Sequence, residues 1–514
     1  MDPLTEDELV RIVKLWPAQR TKNAADRAFA KKAVCGVLAS GHGFRYNNVL
    51  RFAQFGRKNA WSGMDHRERR TEIMTWSSSC KGFFRRLLRM GGILMAGIAA
   101  GFGLLTAVFL LPVGSMEQHV LESLPALNGE WGTGEESYEQ VVKGYPSTQL
   151  DNSTDAYMLL TAIHRSEKSA VDQAIHLYSW QEEGANQYIS LLRFGENGSE
   201  GMREVAIARY WLGFLVVLKP LLLYMNYMDI RMLNMFVQMA LLMCICRLMQ
   251  KRGVGRYVLP FGLSMLCITP GVTWLSLQFS TTLLVAQAAM AALLWKPHLM
   301  EKRMGEDVFF LLVGMATSYF DFLTYPVASL GMPLIVWLLL HRNETARSRL
   351  VRMVRCGLCW AFGYAGMWAG KWALALLYGS EGFWSTLVGS LETRTSQEIR
   401  DVGEISRLDA LWKAFSVFLK KPYLIAGVVV SLGYGLLFIR RKARRLSAVE
   451  KPDLAGTMLG VALLPLAWYL FAANHTYNHA FFTSRALCVT AFAMGSALIA
   501  WLPTEKRTKK LNDL

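Results

Sequence analysis

Cysteine is missing from the one long polar stretch of this chain, Gly114 to Arg203, so disulfides cannot hold that stretch together. No cleavable signal peptide opens the sequence. There is no P-loop and no glycine-rich dinucleotide fingerprint, so chemistry driven by a bound nucleotide has no support. Internal repeats, the mark of many secondary transporters, are not visible either. Of eight cysteines, six (Cys244, Cys246, Cys267, Cys356, Cys359 and Cys488) fall inside apolar runs. Cys356 and Cys359 form a C-x-x-C, but without a second pair and within an apolar helix they read as packing residues rather than metal or redox ligands.

What the chain does have is apolar length. Over 514 residues it is 53% hydrophobic with a mean hydropathy of +0.23, too apolar for a soluble protein. The runs lie at about 91–112, 231–248, 257–274, 276–295, 308–323, 326–341, 354–377, 423–439, 455–473 and 482–502. Each suits a helix, because only helices close their own backbone hydrogen bonds in lipid. The reading is therefore an all-α polytopic membrane protein of about ten transmembrane helices, with a large outer loop and a juxtamembrane helix after the first span.

The net charge of +17 does not call for nucleic acid, because Lys and Arg gather in short loops between the runs. The segment 209–225 is interrupted by Arg209, Lys219 and Pro220 and reads as a surface or re-entrant helix. If it does not cross, the basic segments 81–89, 249–256, 296–307, 342–353, 440–454 and the tail all share the cytoplasmic side; if it crosses, the loops after it are inverted. Both ends are then expected inside, with 1–89 a basic cytosolic segment, 90–502 the membrane domain including the outer loop 114–230, and 503–514 a basic tail. Residues 1–73 read either as a cytosolic appendage or as a start-site extension, since the sequence from Met74 looks like a natural membrane-protein start.

The expected outer face collects the unusual polar residues. Asp151 and Asp155 stand four apart in Leu-Asp-Asn-Ser-Thr-Asp-Ala-Tyr, which puts both carboxylates on one helical face for acid–base work. The alternative makes Asp151, Asn152, Ser153 or Thr154 a helix N-cap with Asp155 in the first turn. Asp321, at the boundary of two apolar runs, either pairs with Arg485, binds a metal or is an interfacial residue wetted by headgroup water. His475 and His479 are spaced for one helical face, as metal ligands, as donors to a phosphate or sugar, or as part of a solvated turn. Lys371, between Trp368 and Trp372, either snorkels to headgroups or neutralises an anionic ligand; Lys219 before Pro220 has the same two readings.

This order of parts resembles the GT-C superfamily of polytopic glycosyltransferases, which use polyprenyl-phosphate-linked sugars. The segment from Arg209-Tyr-Trp-Leu-Gly-Phe to Arg231-Met-Leu is similar to that family's juxtamembrane helix followed by its second span. Two departures stand out: the family acid follows the first span closely, where this chain has only Glu117, and a Pro-Pro before the juxtamembrane helix is absent. The resemblance covers about residues 90–502 and implies sugar transfer on the outer face, in a multi-pass protein of a bacterial cytoplasmic membrane. It implies Asp155 as general base with Asp151 assisting, and Lys219, Asp321, Lys371, His475, His479 and Arg485 around the donor. The implied partners are a polyprenyl-phosphate-linked sugar, membrane lipid and a glycan, lipid or protein acceptor; a divalent metal ion is left open. The rival readings are a transporter or flippase for a lipid-linked or anionic solute, and a non-catalytic scaffold of envelope assembly.

Overall fold

The computed structural model describes residues 66–131, 140–302, 304–379, 383–399, 402–443, 448–449 and 452–504. The expected N-terminal segment up to residue 65, Arg444, Arg445 and the tail from 505 lie outside them. The chain divides into two units, Met1–Leu88 and Arg89–Leu514; of the first, only the start of helix α1 (His66–Val108) is described.

Helices dominate. After α1 come α2 (Val113–Trp131), α3 (Asn152–Ile163), α4 (Ala170–His176), α5 (Gln187–Asn197) and α6 (Leu215–Leu222), which make up the segment between the first two long apolar helices. Then follow α7 (Tyr227–Lys251), α8 (Val258–Ser264), α9 (Leu277–Trp295), α10 (Gly305–Phe320), α11 (Val327–Leu340) and α12 (Ala346–Leu377). The last are α13 (Phe383–Thr395), α14 (Arg407–Ser416), α15 (Lys421–Ala443), α16 (Pro452–Ala462), α17 (Leu464–Phe471), α18 (Ala473–Asn478) and α19 (Leu487–Trp501). Sheet is confined to short two-stranded ribbons, such as Tyr178–Gln181 against Arg203–Ala206.

Among the described residues six segments are long and apolar enough to cross a membrane: Phe84–Val108, Tyr227–Lys251, Leu277–Trp295, Lys421–Arg440, Asp453–Phe471 and Ala480–Trp501. Six such helices in one chain suggest a multi-pass membrane protein. Four of the ten apolar runs are not among these six segments, for local reasons. The run 326–341 yields only the 14-residue α11. The run 257–274 breaks after α8, where Thr269 takes a left-handed φ of 51° ahead of Pro270. α10 is only 16 residues long and carries Glu306 and Asp307 in its first turn, while α12 starts with a string of arginines. The segment 209–225 is helical only over α6.

Capping explains where the helices of the inter-span segment begin. Asp151 accepts from the Thr154 backbone N–H at 3.0 Å and starts α3, with Asp155 in the first turn, where a carboxylate suits the helix dipole. Ser169 and Asn186 start α4 and α5 in the same way. Their apolar faces, including Met116, Val120, Leu159, Leu160, Leu191 and Leu218, form one core that runs on into Phe279 of α9 and Met315 of α10. The segment is thus packed onto the apolar helices rather than draped over them.

The bundle itself rests on close approach. A Cβ added at Gly314 of α10 would sit 2.1 Å from the Trp360 carbonyl of α12, and one at Gly363 would sit 2.3 Å from the Leu311 carbonyl. Glycine is required there because the two backbones touch, the small-residue packing that apolar helices use in lipid.

Candidate functional site

The first two turns of α9 form a hub where most of the expected residues meet. Gln278 donates its backbone N–H to Asp155 Oδ1 at 3.2 Å, and Tyr227 of α7 donates its hydroxyl to Oδ2 at 2.9 Å. Asp155 therefore supplies the acceptor that the free N–H groups at the start of α9 need, and ties α3 to α7 and α9. Asp151 is committed to Thr154, whose hydroxyl also donates to it at 2.9 Å. Both acids are almost fully buried. Burial pushes the Asp151 carboxyl up to about 7, against the hydrogen bonds from Thr154 and with help from the Asp155 charge. Burial likewise pushes Asp155 up to about 6, opposed by Gln278, Tyr227 and the charge of Arg231.

One turn along, Thr282 of α9 meets Thr324 at 3.2 Å, and Thr324 donates through its backbone and its hydroxyl to Asp321. Asp321 lies in the turn after α10 and is raised to about 6, by burial against the bonds from Thr324 and Thr282. The neighbouring Leu323 carbonyl receives His475 Nε2 at 2.8 Å, and the rings of His475 and His479 lie 5.0 Å apart on α18 and just beyond it. Burial lowers both imidazoles, His479 to about 4, with Arg394 adding its charge, so both are neutral.

Arg485 does not pair with Asp321. Its guanidinium donates to the carbonyls of Phe481 (2.6 Å), Ile268 (3.2 Å) and Ser147 (3.3 Å) and lies 4.1 Å from the centre of the Phe279 ring. Those acceptors use the fork that a carboxylate would have taken, while Asp321 is occupied by its own turn. Arg485 thus clamps the segment before α3 to the start of α9 and the break after α8.

The two lysines sit away from this hub. Lys219 Nζ donates to the Ala162 carbonyl at 2.5 Å, in the last turn of α3, and Lys371 Nζ donates to the carbonyls of Ala174 (2.9 Å) and Ile175 (2.8 Å) near the end of α4. A cation at a helix C-terminus satisfies carbonyls that have no partner within the helix. Both lysines are fully buried, so neither the snorkelling nor the surface-helix expectation describes them; burial alone lowers Lys219 to about 8.

Three residues beside the 321–325 turn, Arg209, Tyr210 and Arg394, were not expected as site residues from the sequence. Tyr210 packs 4.4 Å from Phe322 and 5.2 Å from Trp368, and receives a hydrogen bond from Arg394 of α13. Arg209 stacks over the same tyrosine at 5.0 Å. The sequence signal, an Arg-Tyr-Trp at the head of an apolar segment, was read as an interruption and as the start of a juxtamembrane helix, not as a binding feature. Glu117, the acid nearest the first span, is ion-paired with Arg165 at 2.8 Å. Among the described residues no group of three or more His, Cys, Asp or Glu is arranged to hold a metal ion.

The fold is mostly helical, with six apolar helices among the described residues that suggest a multi-pass membrane protein and a packed helical segment between the first two of them. No family of known proteins, no characterised protein and no solved structure matches the chain.

Proposed function

We propose that this chain is an integral-membrane glycosyltransferase that moves a sugar from a polyprenyl-phosphate donor to an acceptor hydroxyl on the outer face of the membrane. The observation that supports this reading best is the turn holding Asp321, where a buried carboxyl raised to about 6 lies among neutral imidazoles, aromatic rings and arginines. In this reading Asp321, rather than Asp155, takes the proton of the acceptor hydroxyl. The acceptor oxygen bonds to the anomeric carbon, the bond from that carbon to the phosphate oxygen breaks, and its electron pair leaves with the lipid phosphate. A base with a pKa just below neutrality is ionised at pH 7 and stronger than an ordinary aspartate. Asp155 is assigned to bracing instead, because its two oxygens accept from Tyr227 of α7 and Gln278 of α9 and so tie three helices together, whereas both oxygens of Asp321 accept from Thr324 of its own turn.

The proposed topology keeps ten crossings, with the basic segments and both ends on the cytoplasmic side and 113–226 outside. In a cysteine-free background, Cys introduced at exposed Glu200 should react with an impermeant reagent from outside, and Cys at Arg252 should not. Reaction at 252 alone would invert the orientation and remove the outer-face site.

Asp321→Asn should lower transfer by about 10²–10⁴, the usual worth of a lost general base, while the melting temperature stays close to that of the parent. Asp155→Asn should behave the other way round, with a lower melting temperature and transfer that follows the folded fraction. On reconstituted protein with a polyprenyl-phosphate sugar, a parental transfer rate in Asp321→Asn would overturn its assignment as the base, and no transfer by the parent chain would overturn the enzyme reading.

A further inference from the structure

Two arginines from distant parts of the chain converge on one tyrosine. The Arg209 guanidinium lies 5.0 Å and the Arg394 guanidinium 5.5 Å from the centre of the Tyr210 ring, and Arg394 also hydrogen-bonds the Tyr210 hydroxyl. Trp372 fixes the Arg209 backbone by donating its indole N–H to the Arg209 carbonyl at 3.1 Å. No described carboxylate stands within 4.0 Å ion-pair distance of either guanidinium.

Around the same rings are polar atoms left over by the fold. Arg209 Nε, the Tyr157 hydroxyl and the Trp368 indole N–H are all buried without a hydrogen bond of normal geometry. Tyr157 stacks towards Phe322 at 6.2 Å and lies within the field of Arg209, while Trp368 packs on Tyr210. Each of the three can donate. Two like charges brought onto one ring repel, and burying donors without acceptors costs free energy that a cation–π contact of about 0.5–2 kcal/mol does not offset.

We infer that Arg209, Tyr210 and Arg394 form a binding site for a phosphoester anion, with Tyr157 and Trp368 as further donors. Guanidinium forks match phosphate oxygens two at a time, and donors arriving from several sides suit a tetrahedral phosphoryl group better than a planar carboxylate. Leu391, one turn before Arg394 on α13, is exposed, so an apolar tail has surface to lie on beside the head group. The inference deepens the enzyme reading by giving the lipid phosphate a place, but the anion site does not depend on sugar being moved.

The test uses the purified full-length chain in detergent, titrated with dodecyl phosphate, with inorganic phosphate and with dodecyltrimethylammonium as the opposite-charge control. Dodecyl phosphate should bind and raise the melting temperature, and the ammonium should do neither. Arg209→Gln and Arg394→Gln should each weaken dodecyl phosphate binding about ten- to a hundredfold, the worth of a lost hydrogen bond to a charged group. Arg394→Lys, which keeps the charge but not the fork, should recover part of the loss. Competition by inorganic phosphate would assign the site to a free anion, and its failure to compete would assign it to a lipid head group; both uphold the phosphoester site. Unchanged affinity in the double Gln variant would overturn it. If that variant does not fold, equal binding of dodecyl phosphate and dodecyltrimethylammonium by the parent chain would overturn it instead. Lost phosphate binding with transfer intact would remove the role in catalysis and leave the enzyme reading; retained binding in a chain that never transfers sugar would do the reverse.

Discussion

The two ends of α10 solve the same problem, buried charge, in opposite ways. At its start, Glu306 and Asp307 are matched by counter-charge: Arg355 Nη2 lies 2.9 Å from Glu306 and its Nε 2.7 Å from Asp307, while Arg352 bridges Glu306 and Glu344. Trp337 adds its indole N–H to Glu306 at 2.9 Å, and Arg349 ties the start of α12 to Asp453 at 2.7 Å. At the other end Asp321 is held by Thr324 and, across the hub, Arg485 by main-chain carbonyls, as are the two buried lysines away from it. Neutral dipoles solvate a charge without cancelling it. The first end is electrically closed and reads as a fastening; at the second the charges are solvated by protein dipoles but not neutralised.

The largest effect that would sharpen this contrast is expected at the closed end. Glu306→Ala leaves Arg352 with Glu344 and Arg355 with Asp307 but removes the hydrogen bonds to one buried carboxylate from both arginines and the Trp337 indole, and should cost about 2–4 kcal/mol; denaturant titration in detergent measures it. A loss no larger than that of Asp321→Asn would erase the distinction between the two ends.

A smaller loss is expected from Lys371→Met. The apolar stem is kept, but the carbonyls of Ala174 and Ile175 lose their donor, at about 1–3 kcal/mol. Limited proteolysis should show the loss locally, as faster cleavage around α4. If Lys371 instead serves a ligand, the variant should keep parental stability and proteolysis while ligand binding falls.

The weakest effect, and the most discriminating, is the response to pH. The folded-state values of Asp151, Asp155 and Asp321 are raised, so the folded chain holds protons that the unfolded chain has already released. Their stabilising contribution is full below the ordinary carboxylate range and is lost as pH climbs through about 6 to 7. Glu344 at the closed end is lowered: burial works against ionisation, but hydrogen bonds from Arg352 and Ser348 outweigh it. Its contribution is present above the ordinary range and is lost on acidification. Melting temperature should therefore rise as pH falls from 8 to 5, and Asp155→Asn or Asp321→Asn should flatten that rise while Glu344→Gln should not. A rise of the same size in either Asn variant would count against the raised carboxyls.

How far these ends could be read from sequence depended on the range of each interaction. The capping alternative for Asp151 and Asp155 was legible because an N-cap and the backbone N–H that donates to it lie within one turn. The break at Thr269 was announced by Pro270-Gly271, although hydropathy alone carried the run straight through it. The partners of Lys219 and Lys371 are backbone carbonyls 57 and 197 residues away, and every residue has a carbonyl, so no pattern could mark them. Arg394 was invisible for the same reason, since what distinguishes it from other loop arginines is a tyrosine 184 residues earlier. Glu306 and Asp307 were passed over because they border a cluster of basic residues, where they looked like surface charge.

The touching backbones at Gly314 and Gly363 give the two ends of α10 a mechanical relation as well as an electrical one. With 16 residues at 1.5 Å each, α10 is a strut of about 24 Å, and its midpoint is locked to α12 without side chains in between to act as cushions. Such a joint transmits a push rather than absorbing it. The fastened end around Glu306 and the turn of Asp321 are therefore held at a fixed spacing by the helix backbone itself.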